Sequence, residues 1–279
     1  MKVLIVNIDS TIPNLALAKV EKYHRDLGDD IKWDFPIYRE WADRIYVSCV
    51  FKENQMKCNY WYDKKTLIGG SGWDLSIKLS PEIEEVKPKI NLGFTTRGCI
   101  RHCKFCIVPE KEGTIHPVGD LVDLWDGKAK KIIVMDNNII ALPDHFNLIC
   151  KQARENKIQI DFNQGLDHRL LNQDVVDELK SIRHKEFRFA YDHPSYFPSV
   201  SKAIDLLEKN NIKWSTWYVL VGFNTSLDED LSRLNYLRER NQRAFVQRYT
   251  RDRKYIQLAR WANQHHMFAK MTYEQFIRI

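Results

Sequence analysis

No apolar run in the chain approaches the ~20 residues that a membrane-spanning helix requires. The apolar stretch at Val3–Val6 is cut short at Asp9, and no small-residue cleavage site follows it. A secretory leader and a membrane partner are therefore not expected, and the sequence reads as a soluble, cytoplasmic protein. Cysteine is too sparse for a disulfide scaffold: 279 residues carry six, at Cys49, Cys58, Cys99, Cys103, Cys106 and Cys150, with none after Cys150. Low hydrophobicity is absent too. Hydrophobic residues make up 44% and charged residues 29%, which excludes a disordered chain and allows a packed core.

Charge is unevenly placed. The formal net charge is +6. From Arg233 to Ile279 there are 11 Lys or Arg against 3 Asp or Glu, a net of +8, which leaves −2 for the rest. Such a basic C-terminal segment suits RNA or another polyanion, but a merely solvated face is the favoured account.

The pattern along the chain predicts an α/β fold. Lys2–Ile8 reads as a buried parallel strand. Asn14 is placed to cap the helix that follows, and Gly28 to end it. Ile45–Phe51 is a second strand, and Thr66–Ile68 runs into a flexible Gly69-Gly70-Ser71-Gly72 turn. Residues 1–80 thus form a small Rossmann-like β/α domain. Residues 81–89, polar, acidic and carrying two prolines, form a linker. From residue 90 to 250 the predicted strands are Ile90–Phe94, Lys131–Met135, Ile158–Phe162, Phe187–Tyr191, Trp214–Val221 and Ala244–Tyr249. Helices at Pro143–Asn156, Asn172–Ser181, Ser199–Asn210 and Leu227–Arg240 lie between them, which argues for a parallel sheet covered by helices. Six such units in about 160 residues suit a partial barrel, because a full eight-stranded one needs about 250. Residues 251–279 read as a helical extension.

Chemistry in parallel β/α folds collects at the C-terminal ends of strands. Here those ends carry Thr95-Thr96-Arg97-Gly98-Cys99, Asp136-Asn137-Asn138, Asn163-Gln164-Gly165, Tyr191-Asp192-His193 and Gly222-Phe223-Asn224. Each cluster alone is an ordinary turn. Five at equivalent places in one repeat predict a shared site.

The spacing Cys99-x3-Cys103-x2-Cys106 follows a strand directly. Thiolates are the usual ligands of zinc and of iron–sulfur clusters. Three of them can hold three irons of a [4Fe–4S] cube and leave the fourth open to a small molecule. Arg97, Arg101 and Lys104 offset thiolate charge. Phe105 is a flat apolar neighbour able to shield a cluster, contact a nucleobase or simply pack. His102 or His116 could instead complete a Cys3His zinc site. Glu110 and Glu112 read as solvated loop residues, and His265-His266 as a solvated or packing pair.

Thr-Thr-Arg-Gly-Cys99-x3-Cys103-x-Phe-Cys106 resembles the signature of the radical S-adenosylmethionine (radical SAM) superfamily, whose partial (β/α)6 barrel matches the rhythm from Ile90 to Tyr249. The resemblance implies that Cys99, Cys103 and Cys106 bind one [4Fe–4S] cluster. Its open iron would bind the amino and carboxylate groups of SAM. An electron, from a donor such as flavodoxin or ferredoxin, would cleave the sulfonium to methionine and a 5′-deoxyadenosyl radical that abstracts hydrogen from a substrate, small or macromolecular. Asp136, Asn137 and Asn138 stand where the family contacts the SAM amino group, although its Gly-Gly-Glu is absent. Gly222 resembles the family's fifth-strand glycine near adenine. Asn163-Gln164-Gly165-Leu166-Asp167 and Asp192 are candidates for ribose or substrate contacts. Trp214, Trp217 and Tyr218 are candidates to line the cavity.

The N-terminal domain resembles a shortened cobalamin-binding domain. It lacks the Asp-x-His-x-x-Gly that supplies a cobalt ligand, so no cobalamin is expected there and a structural or gating role is. Methylthiotransferases of the superfamily need three further cysteines in that domain, where only Cys49 and Cys58 occur. A single cluster is expected. The alternative function is a zinc-stabilised module that binds nucleic acid through the basic C-terminal segment.

Overall fold

The computed structural model describes residues 1–184 and 186–278. It is a mixed α/β fold built on parallel sheets. The chain divides into two compact units, Met1–Gly93 with Val122–Lys128, and Phe94–Leu121 with Ala129–Ile279.

The first unit is a parallel sheet in the order β2 (Asp30–Trp33), β1 (Lys2–Asn7), β3 (Arg44–Ser48), β4 (Thr66–Gly69). Central β1 is buried on both faces, which is why its apolar residues run without alternation. Val3 and Ile5 pack with Leu17 and Val20 of α1 (Leu15–Asp26), and Leu4 and Val6 with Ile45, Val47 and Trp61 on the other face. Asn14 caps α1 by accepting from the Leu17 amide at 3.2 Å. Gly28, at φ +77°, ends it. The sequence reading passes over β2, because Asp30-Ile31-Lys32-Trp33 is a half-exposed edge strand with little apolar pattern.

After β3 the chain forms a short helix α2 (Gln55–Cys58), and after β4 another, α3 (Pro81–Glu84). Ile83 is buried in the α1 core, and Lys19 pairs with Glu84 at 2.7 Å. The start of the segment expected as a linker therefore packs against α1. A two-residue strand β5 (Leu92–Gly93) lies within the predicted Ile90–Phe94.

The second unit opens with β6 (Thr96–Arg97), antiparallel to β7 (His116–Pro117). Between them run the cysteine loop and α4 (Val108–Glu112). The turn α5 (Leu121–Leu124) leads away to Val122–Lys128. Then come β8 (Lys131–Val134), α6 (Pro143–Glu155), β9 (Gln159–Phe162), α7 (Gln173–Ser181), β10 (Arg183–His184), β11 (Arg188–Ala190), α8 (Phe197–Lys209), β12 (Thr216–Val221), α9 (Leu227–Glu239) and β13 (Arg243–Arg248). Strand β9 pairs in parallel with β8 and β10, and β12 with β11 and β13. Leu166 joins the two sets: its N–H donates to the Arg188 carbonyl at 2.8 Å, and it bridges Phe189 in parallel.

Local chemistry agrees with these boundaries. Asn172 caps α7 through the Val175 amide, and Ser226 and Glu229 form a reciprocal capping box on α9. The strands carry apolar residues outward to the helices. Trp217, for instance, is buried between Phe189 and His168, so it lines no cavity. Three helices, α10 (Arg253–Ala262), α11 (His265–Lys270) and α12 (Tyr273–Phe276), close the chain around buried Trp261. Among the described residues no helix is long and apolar enough to cross a membrane.

Candidate functional site

The cysteine loop is fixed at its root by backbone geometry. Gly98 has φ +81°, and a Cβ there would lie 2.4 Å from the Thr114 carbonyl oxygen, so only glycine fits. The Cys99 amide donates to the Gly113 carbonyl at 3.1 Å. Glu112 accepts from the Gly98 amide at 3.0 Å and from Asn137 Nδ2 at 2.8 Å, and pairs with Arg97 at 3.2 Å. Expected to be a solvated loop residue, Glu112 has a side chain only 8% exposed and braces the loop.

All three thiols are partly buried. The Cys106 amide donates to the Cys103 carbonyl at 3.0 Å, turning the second half of the loop. Cys99 Sγ receives the Arg101 amide at 3.3 Å and Asn138 Nδ2 at 3.6 Å, donors that suit a thiolate. Burial pushes the Cys103 and Cys106 thiols above their usual range. The Arg169 guanidinium opposes that rise at Cys103, while neighbouring thiols and Asp192 add to it.

Next to the loop lies a charged cluster that the sequence reading did not assemble. Asp167 accepts from Arg101 Nε at 2.9 Å, from Arg169 Nε at 2.6 Å and from Asn138 Nδ2 at 3.3 Å. Burial alone would raise this carboxyl; the two guanidiniums outweigh it and hold Asp167 below the usual carboxylate range. Asn138 is 2% exposed, and its Oδ1 has no hydrogen-bond partner. Its amide orientation is dictated by Asp167, which needs a donor facing it. A buried acceptor thus stands unpartnered beside Cys99.

The other predicted residues divide. Asp136 is turned inward: it accepts from the Thr95 amide at 2.7 Å, the Thr96 amide at 2.9 Å and the Thr95 hydroxyl. Burial nonetheless raises its carboxyl. Its oxygens tie the cysteine-bearing segment to the end of β8, so it positions the loop. Asn137 braces Glu112. Gln164 is exposed, away from these contacts. Gly222, at φ +77°, donates to Asp230 at 3.0 Å, and a Cβ there would lie 2.6 Å from the Tyr255 ring.

Asp192 accepts a 3.2 Å hydrogen bond from the Leu220 amide. Burial pushes its carboxyl up to about 6, against the pull of Arg233 and Arg169. Arg233, 2% exposed, clamps this region by donating to the carbonyls of Tyr191 and Leu220 and pairing with Asp230. Phe105 meets Phe223 edge-on at 5.5 Å, and Phe223 meets Tyr249 at 4.7 Å, an aromatic chain leading from the loop to the end of β13. Arg169, Arg233 and Tyr249 escaped the sequence reading because they join the site only through tertiary contacts, whereas Phe223 belongs to one of the strand-end clusters.

Among the described residues no three His, Cys, Asp or Glu side chains already converge as metal ligands. His102 is exposed, and His116 Nδ1 is engaged with the Thr114 carbonyl at 2.9 Å. The donor set still fits a thiolate-bound cluster: three partly buried sulfurs on one loop, amide donors to one of them, and guanidinium charge beside another. A cavity of ≈ 460 Å³ lined by Lys180, His184, Glu186 and Trp214 lies instead at the strand starts, where no thiol reaches. No protein-family model matches the chain, and no curated protein is significantly similar to it.

Proposed function

We propose that Cys99, Cys103 and Cys106 hold a [4Fe–4S] cluster and that the protein is a radical SAM enzyme, the β8-to-β13 array being its partial barrel. The observation that carries this reading is the juxtaposition of three partly buried thiols on one loop with the unpartnered Asn138 Oδ1. When bound, the cluster supplies the electron that cleaves the SAM sulfonium. The protein's own groups do the rest. Amides of Arg101 and Asn138 stabilise the Cys99 thiolate. Arg101 and Arg169 offset negative charge. Asn138 Oδ1 offers an acceptor to an ammonium group, and Asp192 a carboxyl to a hydroxyl. Phe105 and Phe223 give a flat apolar wall that excludes water.

A flavodoxin- or ferredoxin-like donor in a reducing, cytoplasmic compartment completes the scheme, and the first unit serves a structural or gating role. Anaerobic reconstitution should load about four irons per chain. The reduced protein should change its electron paramagnetic resonance spectrum with SAM and release methionine. A colourless protein that takes up zinc and leaves SAM intact under reduction would sink the proposal.

A further inference from the structure

Strand β13 and the segment after it carry a surface that the proposed chemistry does not use. Ala244 and Val246 point into the core, 0% and 3% exposed. Between and beyond them Phe245 is 43% exposed, Gln247 is exposed and Tyr249 is 55% exposed. Alternate residues of a strand share a face, so the face of β13 that looks away from the core presents Arg243, Phe245 and Gln247, and exposed Tyr249 follows the strand's last residue. Large exposed rings are uncommon on a strand unless something covers them.

The rings are held in place. Phe245 meets Tyr218 edge-on at 5.8 Å, and Tyr218 is anchored through its hydroxyl to the Asn163 carbonyl at 2.7 Å. Tyr249 rests edge-on against Phe223. Near the start of β13 the Arg243 guanidinium lies 3.8 Å from the Trp214 ring centroid. The backbone edge of β13 is not open to another strand at its centre. Asn263, which follows α10, accepts from the Val246 amide at 2.6 Å and donates to the Val246 carbonyl at 3.3 Å. What remains available is the face, not the edge. At the end of β13 and directly after it, Arg248, Arg251, Arg253 and Lys254 stand against the single carboxylate of Asp252, and all four are exposed.

We infer that this surface binds single-stranded nucleic acid, with bases stacked on Phe245 and Tyr249 and phosphates held by Arg253 and Lys254. A flat row of rings beside a basic run is what an unpaired strand requires: every base has a face to stack, and every phosphate a charge to neutralise. Duplex bases are already stacked, so a duplex offers the rings nothing. An acidic protein would satisfy the cations but not the rings. Phe245 and Tyr249, four residues apart, are on the order of 13 Å from each other, so more than one nucleotide must engage both. The surface does not depend on the cysteines holding a cluster. The Tyr249–Phe223–Phe105 contacts nevertheless lead a bound strand toward the cysteine loop.

The test is fluorescence anisotropy on the full chain with a labelled single-stranded RNA of about 12 nucleotides, the same RNA as a duplex, and polyglutamate as competitor. The single strand should bind at low salt and weaken as salt rises, with the duplex much weaker and polyglutamate a poor competitor. Phe245→Ala, Phe245→Leu and Tyr249→Ala should each lower affinity roughly tenfold without changing the salt slope. Arg253→Gln and Lys254→Gln should each flatten that slope by about 0.7. A variant lacking all three loop cysteines should bind as the parent does, which separates this inference from the cluster. Equal binding by the ring variants, effective competition by polyglutamate, or no binding at low salt would each overturn it.

Discussion

Cysteines stand in opposite surroundings in the two units. In the first, Cys49 and Cys58 are both 0% exposed, inside a core with Leu4, Val47 and Trp61. Burial first, and the neighbouring Cys58 second, push the Cys49 thiol up to about 12, and burial raises Cys58 as well. Asp9 lies on the same side and adds negative charge, its own carboxylate occupied by the Val50 and Phe51 amides. In the second unit, the three loop thiols are partly exposed; Cys99 receives two amide donors, and the Arg169 guanidinium opposes the rise that burial imposes on Cys103. One environment keeps sulfur neutral and packed; the other leaves it accessible beside donors and positive charge. The difference lies in burial and partners, which spacing alone does not report.

Iron loading tests that contrast most severely. Single replacement of Cys99, Cys103 or Cys106 by Ala should abolish stable iron uptake on reconstitution, whereas Cys49→Ala, Cys58→Ala and Cys150→Ala should leave it near the parent level. Iron quantitation with the brown absorbance measures both. Loss of iron in a Cys49 or Cys58 variant that still folds would break the comparison.

Alkylation comes next. Under native conditions in the metal-free protein, iodoacetamide at mildly alkaline pH should modify the three loop cysteines and spare Cys49, Cys58 and Cys150, the last also 0% exposed with its thiol pushed by burial to about 12. Peptide mass spectrometry reads the pattern, and all six should react in denaturant. Early modification of Cys49 would mean that the first unit opens locally.

The cysteine motif was legible because its signal is local: three residues, one loop, one preceding strand. So was most of the second unit's rhythm, since Lys131–Met135 and Leu227–Arg240 were predicted and Lys131–Val134 and Leu227–Glu239 form. Their apolar periods and caps lie within the segments themselves. Asp136 misled, since a carboxylate at a strand end looks the same whether it faces a ligand or two threonine amides. Arg233 was illegible for the converse reason. An arginine within an amphipathic helix reads as solvated, and only the fold shows it buried against Asp230 and two strand-end carbonyls.

Arg233 gives the third prediction, on stability. Arg233→Met leaves Asp230, 0% exposed, without its counter-charge and frees two carbonyls. Breaking one side of such a buried pair costs about 3–5 kcal/mol. Denaturant unfolding should show that loss, and the Asp230→Asn/Arg233→Met double variant should recover part of it. Surface pairs such as Lys22–Asp26 in the first unit, by contrast, should contribute well under about 1 kcal/mol when broken.

The smallest effect compares two buried histidines. His24, in the first unit, has Asp29 at 2.7 Å from Nδ1 and the Tyr46 hydroxyl at 3.1 Å from Nε2. His168, in the second, is 4% exposed, holds the Ser199 hydroxyl at 3.0 Å and lies among the rings of Trp217 and Tyr196. Burial pushes its imidazole down to about 4, against an ordinary 6.5 and despite Asp167 nearby. Between those values the unfolded chain binds a proton that the folded chain refuses. His168 therefore contributes full stability above pH 6.5 and loses it as pH falls toward 4, by about 3 kcal/mol in all. Asp192, raised to about 6, acts with the opposite sign over much of the same range. The quantity to measure is thus the difference between parent and His168→Gln at each pH, in which Asp192 cancels. That difference should shift in favour of the variant by about 3 kcal/mol between pH 7 and pH 4. A difference that stays flat across that range would mean that His168 is protonated in the folded protein.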